Sequence, residues 1–369
     1  MRLRRRAVLI TATALALGSC SRQLPLKVGF ISGQTGPFSD LGGAGLHGAI
    51  LAIDQRNEQG GINGRAVKML IRDDEHNEAR ARAAFHALVD EGVLAIVGPM
   101  TSAMATELAS AADQAAIVLM GGTVVTHRLS GRDDYFLRAI ASTRYYAAYS
   151  AGVHHRHFKP ARAAVVFDAA NRDYAENWAR EYATELQRLG RVRAEVLEID
   201  SRAQRDLAAL PARILASGAD LVSFATSAKT AGSQMRLLRA KRDSLRFATS
   251  AWAANHLLPE TAETAAEGAL VEQYHDVSGT SPAYLRFVQS YRTRFKQLPD
   301  YAAVIAFDAT NIVLDGLRLN PRREGLKQAL LNQRRYEGLQ VPIELDQYGD
   351  ASRAAFTTVL KAGQFLPLP

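Results

Sequence analysis

Leu26-Lys27-Val28-Gly29-Phe30-Ile31-Ser32 is a short apolar run that reads as a β-strand and opens onto a glycine-rich loop. The residues after it repeat the pattern. His47–Gln59 sets Ile50, Leu51 and Ile53 among helix-compatible neighbours, and Gly60-Gly61 stops that helix. Val67–Arg72 reads as a second strand. Asn77 then caps a helix carrying Ala84, Phe85, Leu88 and Val89, with Gly92 at its end. Val93–Val97 is a third strand, followed by a helix over Ala103–Gln114 and a strand over Ile117–Met120.

The series restarts after Thr143. Ala163–Phe167, Ala194–Ile199, Leu221–Phe224 and Phe247–Ser250 read as strands, separated by helices over Tyr174–Leu189, Asp206–Ala216 and Ser233–Lys241. Strands alternating with helices of this length build parallel βαβ units. Two such series predict an α/β protein of two doubly wound parallel-sheet lobes. Pro282–Phe295 and Val304–Leu317 add two helices, and Val341–Leu345 and Phe356–Lys361 add late strands.

The N-terminus reads differently. Arg4-Arg5-Arg6 precedes an apolar stretch from Ala7 to Leu17 and then Leu17-Gly18-Ser19-Cys20. A charged start, a short apolar middle and small residues before a cut mark a secretory signal peptide over residues 1–19. This stretch of 11 residues falls short of the roughly 20 that a membrane span needs. Cys20 is the only cysteine, so with it lipidated no thiol is left for a disulfide, a metal or a nucleophile. The chain carries 45 basic and 37 acidic residues, a formal +8; without the four arginines before Ala7 the basic count is 41 and the balance +4. Basic residues are interspersed with carboxylates, which argues against a nucleic-acid surface. An apolar fraction of 47% supplies a core without staples.

Leu17-Gly18-Ser19-Cys20 resembles the lipobox of bacterial lipoproteins, which implies an acylated Cys20 as mature N-terminus and a folded part tethered on the periplasmic side of a membrane. Beyond it, the marks come in order: Val28-Gly29 to Gln34-Thr35-Gly36-Pro37, Gly60-Gly61-Ile62-Asn63-Gly64-Arg65, Arg72-Asp73-Asp74, Ile96-Val97-Gly98-Pro99, and Asp168 to Tyr174-Ala175-Glu176. In this order they resemble the type I periplasmic binding proteins, in the leucine/isoleucine/valine-binding branch that feeds ABC importers. The resemblance implies two lobes with a ligand cleft between them, and three crossovers placed near Arg138–Thr143, Tyr274–Val277 and Asp346–Ser352. After a lipid-anchored linker over 20–26, lobe 1 is then 27–140 with 275–345, and lobe 2 is 141–274 with 346–369.

Ser102 follows an apolar strand and stands where a helix begins. Unpaired N–H groups and the positive end of the helix dipole suit a carboxylate there, with the hydroxyl as one more donor; the alternative is a plain N-cap. The resemblance implies that Ser102 contacts the ligand carboxylate. It also implies that the turn Thr123-Val124-Val125 holds the carboxylate and amino group through backbone and threonine groups, and that Tyr174 closes over the ligand. Trp252 reads as an apolar wall or as ordinary core.

The sequence departs from the family where a second-lobe carboxylate would hold an ammonium, since the segment reads Ser250-Ala251-Trp252-Ala253. A second family tyrosine is replaced by Ser227. Either another acid, Glu272 or Asp276, takes over, or the ligand has no ammonium, because burying one unpaired costs several kcal/mol.

Three patterns are set aside. Gly43-Ala44-Gly45-Leu46-His47-Gly48 fits the letters of a dinucleotide fingerprint, but ten residues separate it from the strand end at Ser32. His154-His155-Arg156-His157 reads as a solvated helix end rather than a metal site, and Asp73-Asp74-Glu75-His76 as structural carboxylates at a strand end. No nucleophile elbow is present. The expectation is a monomeric solute-binding lipoprotein, not an enzyme, without cofactor or metal. Its partners are a small carboxylate-bearing ligand (a branched-chain or hydrophobic amino acid, or an aliphatic or aromatic acid) and an ABC permease. The alternative role is a sensory receptor or an activator of a cell-wall enzyme.

Overall fold

A computed structural model describes residues 24–368 except Pro37; the leader and Cys20 lie outside the described residues. β1 (Leu26–Ser32) leads into α1 (Ser39–Glu58), then β2 (Val67–Asp73), α2 (Glu78–Asp90), β3 (Ala95–Val97), α3 (Ser102–Gln114), β4 (Val118–Gly121) and β5 (Phe136–Arg138). The five strands form one parallel sheet in the order β2-β1-β3-β4-β5.

Lobe 2 repeats the plan. α4 (Thr143–Phe158) precedes β6 (Arg162–Asp168), α5 (Arg172–Gly190), β7 (Arg193–Ile199), α6 (Gln204–Ala216), β8 (Leu221–Ala225), α7 (Ala228–Arg239), β9 (Arg246–Thr249), α8 (Leu257–Ala262) and β10 (Leu270–Gln273). The chain returns to lobe 1 as α9 (Pro282–Phe295), α10 (Tyr301–Leu319) and α11 (Leu326–Gln333). A small antiparallel sheet follows: β11 (Arg335–Tyr336), β12 (Ile343–Leu345) and β13 (Ala351–Ser352). β14 (Phe356–Lys361) and β15 (Gln364–Pro367) end on lobe 2, extending its sheet to β7-β6-β8-β9-β10-β14-β15. Strand order reverses beside β1 in one lobe and β6 in the other. Ligands of open α/β sheets bind at such switch points, outside the carboxyl ends of the strands.

Several expectations change. α1 starts at Ser39, not His47, and takes in the glycine-rich segment expected as a loop. Those glycines permit close packing. A Cβ on Gly42 would lie 1.9 Å from the Gly33 carbonyl oxygen, and one on Gly48 2.1 Å from that of Ala303 on α10. Gly45 and Gly48 of the fingerprint-like segment thus join Gly42 in a helix-packing stripe, while Gly43 has nothing within 4 Å. His154 is not solvated: it is fully buried on α4, its Nδ1 2.9 Å from the Tyr182 hydroxyl, and burial pushes its pKa down to about 3. α4, β5 and β10 were not expected from the sequence. Asn77 does cap α2, accepting the Arg80 N–H at 3.0 Å.

Two buried side chains tie the crossovers together. Arg353 sits between β13 and β14; its guanidinium pairs with Asp308 of α10 at 2.7 Å and donates to the Tyr274 carbonyl, just beyond β10, at 3.0 Å. The Tyr146 hydroxyl donates to the Arg353 carbonyl at 3.3 Å and accepts the Ala141 N–H at 3.4 Å, between β5 and α4. The third passage thus falls at residues 353–355 rather than at Asp346, because Ala351–Ser352 stays paired with β12.

Candidate ligand-binding site

The space between the lobes is narrow and is lined by Leu41, Met100, Ser102, Thr123, Asn171, Tyr174, Trp252, Tyr274 and Tyr301. Most of these stand just past the carboxyl end of a parallel strand; Leu41 and Tyr301 stand at the starts of α1 and α10.

The floor on lobe 1 is the start of α3. Gly98 turns the chain out of β3 with φ +101°, and a Cβ there would lie 2.1 Å from the Ile31 carbonyl oxygen, so only glycine fits. Thr101, the N-cap, makes no side-chain cap; its hydroxyl instead meets His76 Nδ1 at 3.3 Å. The first N–H groups of α3 are thereby left to other acceptors. One is taken across the cleft: Ala103 N–H donates to Asn171 Oδ1 at 3.3 Å. Ser102 is buried, and its Oγ accepts the Thr126 N–H at 3.3 Å. Thr123 donates to the Met100 carbonyl, which fixes the turn after β4 against the turn after β3.

Lobe 2 supplies aromatic walls. Tyr174 and Trp252 meet edge-to-face with centroids 5.8 Å apart, and Phe38 of lobe 1 meets Trp252 at 5.1 Å. Tyr274 and Tyr301 meet at 5.4 Å. The Tyr174 and Tyr274 hydroxyls are buried beside each other, and among the described residues neither makes a bond of good hydrogen-bond geometry; burial drives both phenols well above their ordinary pKa. Orphaned buried hydroxyls in a cleft are groups that a ligand can satisfy.

The lobes are closed on each other. His76 Nε2 donates to the Ala170 carbonyl at 2.8 Å, Asn177 to the Thr126 hydroxyl at 3.2 Å, and Asn255 to Asp40 at 3.0 Å. Arg128 pairs with Asp173 at 2.7 Å. Burial pushes the His76 pKa below its ordinary value, so the ring is neutral in this arrangement.

Of the residues expected from sequence, Ser102, Thr123, Tyr174 and Trp252 come together at the cavity. Val124 and Val125 do not: their side chains turn into the apolar core of lobe 1, at 0% and 1% exposure. Ser227 caps α7, accepting the Thr230 N–H at 3.3 Å, and is not part of the lining. Asp276 binds the Ser278 hydroxyl at 2.6 Å in its own turn. Leu41, Met100, Asn171, Tyr274 and Tyr301 were missed. Only Asn171, three residues before Tyr174 in the loop after β6, carried a positional signal. Among the described residues no group of His, Cys, Asp and Glu is arranged to hold a metal ion.

The family profile described as periplasmic binding protein matches residues 25–364. The chain belongs to the type I periplasmic binding proteins. This binding protein is 25% identical over 288 residues to a Leu/Ile/Val-binding protein of Citrobacter freundii, a match covering 76% of this chain and 77% of that one. It shares its fold with a leucine-binding protein of Thermotoga maritima at a TM-score of 0.86 and 20% identity, over 93% of this chain and 98% of the other. A solute-binding protein from R. palustris in complex with 4-hydroxybenzoate matches at a TM-score of 0.83 and 16% identity, over 93% and 95%. Its relatives place this binding protein in the branched-chain amino-acid branch, whose members bind solutes for ABC transporters. No helix among the described residues is long and apolar enough to cross a membrane.

Proposed function

We propose that this chain is the capture component of an ABC importer, exported and held at the membrane by lipid on Cys20, and that it binds a small carboxylic acid with an apolar or aromatic body. One observation carries the reading: α3 starts without a side-chain cap and turns the Ser102 hydroxyl to a cavity walled in part by four aromatic rings and without a charged side chain among its lining residues. A carboxylate satisfies the helix start, where it gains from the dipole as well. The rings then cover the rest of the ligand, and closure of the lobes removes both parts from water. Affinity in the micromolar range requires only about −8 kcal/mol. The amino-acid relatives and the neighbour holding 4-hydroxybenzoate bracket the ligand chemistry.

The test is a thermal-shift panel of branched-chain amino acids, their deaminated acids and simple aromatic acids, followed by calorimetry. A carboxylate that raises the melting temperature and lowers the radius of gyration in small-angle scattering supports capture by closure. A panel in which no carboxylate binds refutes it. Cys20→Ala should release a folded protein that binds the same ligand; retention at the membrane after loss of residues 1–19 refutes the anchor.

A further inference from the structure

The cavity lining contains no charged side chain. A carboxylate nevertheless lies directly behind it. Glu272, on β10, is fully buried; it accepts the Ala251 N–H at 3.0 Å and the Ser150 hydroxyl at 2.7 Å. Ala251 is the residue before Trp252, so the acid grips the turn that carries one wall of the cavity. It also neighbours the Tyr174 phenol, beside which lie the hydroxyls of Ser250 and Tyr274. The groups facing Glu272 are Ser150 and Tyr146 of α4, Tyr174, Trp178 and Tyr182 of α5, Tyr274 past its own strand, and Tyr301 of α10. None of them is a cation.

We propose that Glu272 is the specificity-determining residue that reads whether the ligand carries an amino group. The reading rests on the proposed carboxylate ligand. With its carboxylate anchored at α3, the ligand turns its remaining substituents toward the lobe 2 wall. An ionised Glu272 behind that wall attracts an ammonium and repels a second anion; a protonated Glu272 favours neither. The donors around it favour the ionised form, while burial opposes that form and raises its pKa to about 7. The protein therefore has two selectivities, one on each side of neutrality. An amino acid should gain affinity as pH rises through 7, and its deaminated analogue should lose it. The ratio of the two cancels any effect of His76 on closure, which acts on both ligands alike.

The experiment is calorimetry of leucine and 4-methylpentanoate between pH 5.5 and 8.5, on the full mature chain and on Glu272→Gln. The amide keeps the size and can still accept the Ala251 N–H. In the native protein the ratio of affinities, leucine over acid, should rise by about tenfold or more across the range, equivalent to a one-unit shift of the Glu272 pKa on binding. In Glu272→Gln the ratio should stay near its low-pH value. A purely structural role would weaken both ligands together and leave the ratio unmoved. A flat ratio in the native protein overturns the proposal, even if the variant does not fold. If neither probe nor any carboxylate of the panel binds, both this proposal and the ligand class fail; binding with pH-independent selectivity removes only the role of Glu272.

Discussion

Replacing Ser102 with alanine isolates one donor at the start of α3. The side chain is 2% exposed and accepts a single 3.3 Å bond from Thr126 N–H, long for an N–H···O bond. Its own proton has no acceptor among the described residues, and so is free for an anion. A hydrogen bond to a charged group contributes about 1.5–3 kcal/mol, so Ser102→Ala should weaken carboxylate binding roughly 10–150-fold. The fold loses much less. Thr126 N–H is left unpaired inside the lobe, but the bond removed is long, which places the cost near 1 kcal/mol, or no more than about 4 °C in melting temperature. Calorimetry with the carboxylate that most stabilises the native protein, alongside thermal melts of both forms, separates the two effects. Thr101→Ala serves as control for the neighbouring hydroxyl, which is turned to His76. A folded Ser102→Ala variant with unchanged affinity would refute the placement of the carboxylate at this helix.

Three other outcomes follow from the packing. Gly48→Ala would press a methyl onto the Ala303 carbonyl at 2.1 Å and should cost about 1–3 kcal/mol or more. Gly43→Ala meets nothing within 4 Å and should gain up to about 1 kcal/mol; equal urea midpoints for the two would contradict the packing stripe. Asp308→Asn strands the Arg353 charge in the interior and should cost about 3–5 kcal/mol, whereas Arg335→Ala, which breaks an exposed pair with Glu344, should stay within about 0.5 kcal/mol. For His76 the sign is set by burial. The closed form holds the ring neutral with a lowered pKa, so protonation favours the open form, and ligand affinity should fall as pH drops through the ordinary histidine value of about 6.5. His76→Gln should flatten that limb; an affinity that rises on acidification would reverse the argument.

The sequence displayed the βαβ series because buried strands such as Leu221–Ala225 are short and apolar between helices. It concealed β10, Leu270–Gln273, where two polar residues occupy a fully buried strand and break the apolar signal. Glycines 42, 45 and 48 concealed the start of α1, since their low helix propensity is overridden by contacts with β1's loop, Met100 and α10. At the site, Ser102 was legible because strand, glycine turn and helix start adjoin in the chain. Tyr274 and Tyr301 were not, because only the closing of two lobes brings them beside residues far away in sequence. Val124 and Val125 turn their side chains away for a local reason: two successive apolar residues after a strand can face the cleft or the core, and here the core takes both, which leaves only their backbone groups to a ligand.

The crossover knot has a mechanical consequence. Arg353, Asp308 and Tyr146 hold their partners where the two bodies join, and bonds close to a pivot change length little as it turns. Pairs far from the pivot must part altogether. Arg128, half-exposed, and Asp173 form a charged pair between the lobes that solvent reaches, unlike the buried Arg353–Asp308 pair, and mobile ions screen charges of that kind over about 8 Å at physiological strength. Ionic strength therefore acts on the gape of the jaws and hardly at all on their axle: salt should loosen the grip on ligand while leaving the melting of each lobe untouched.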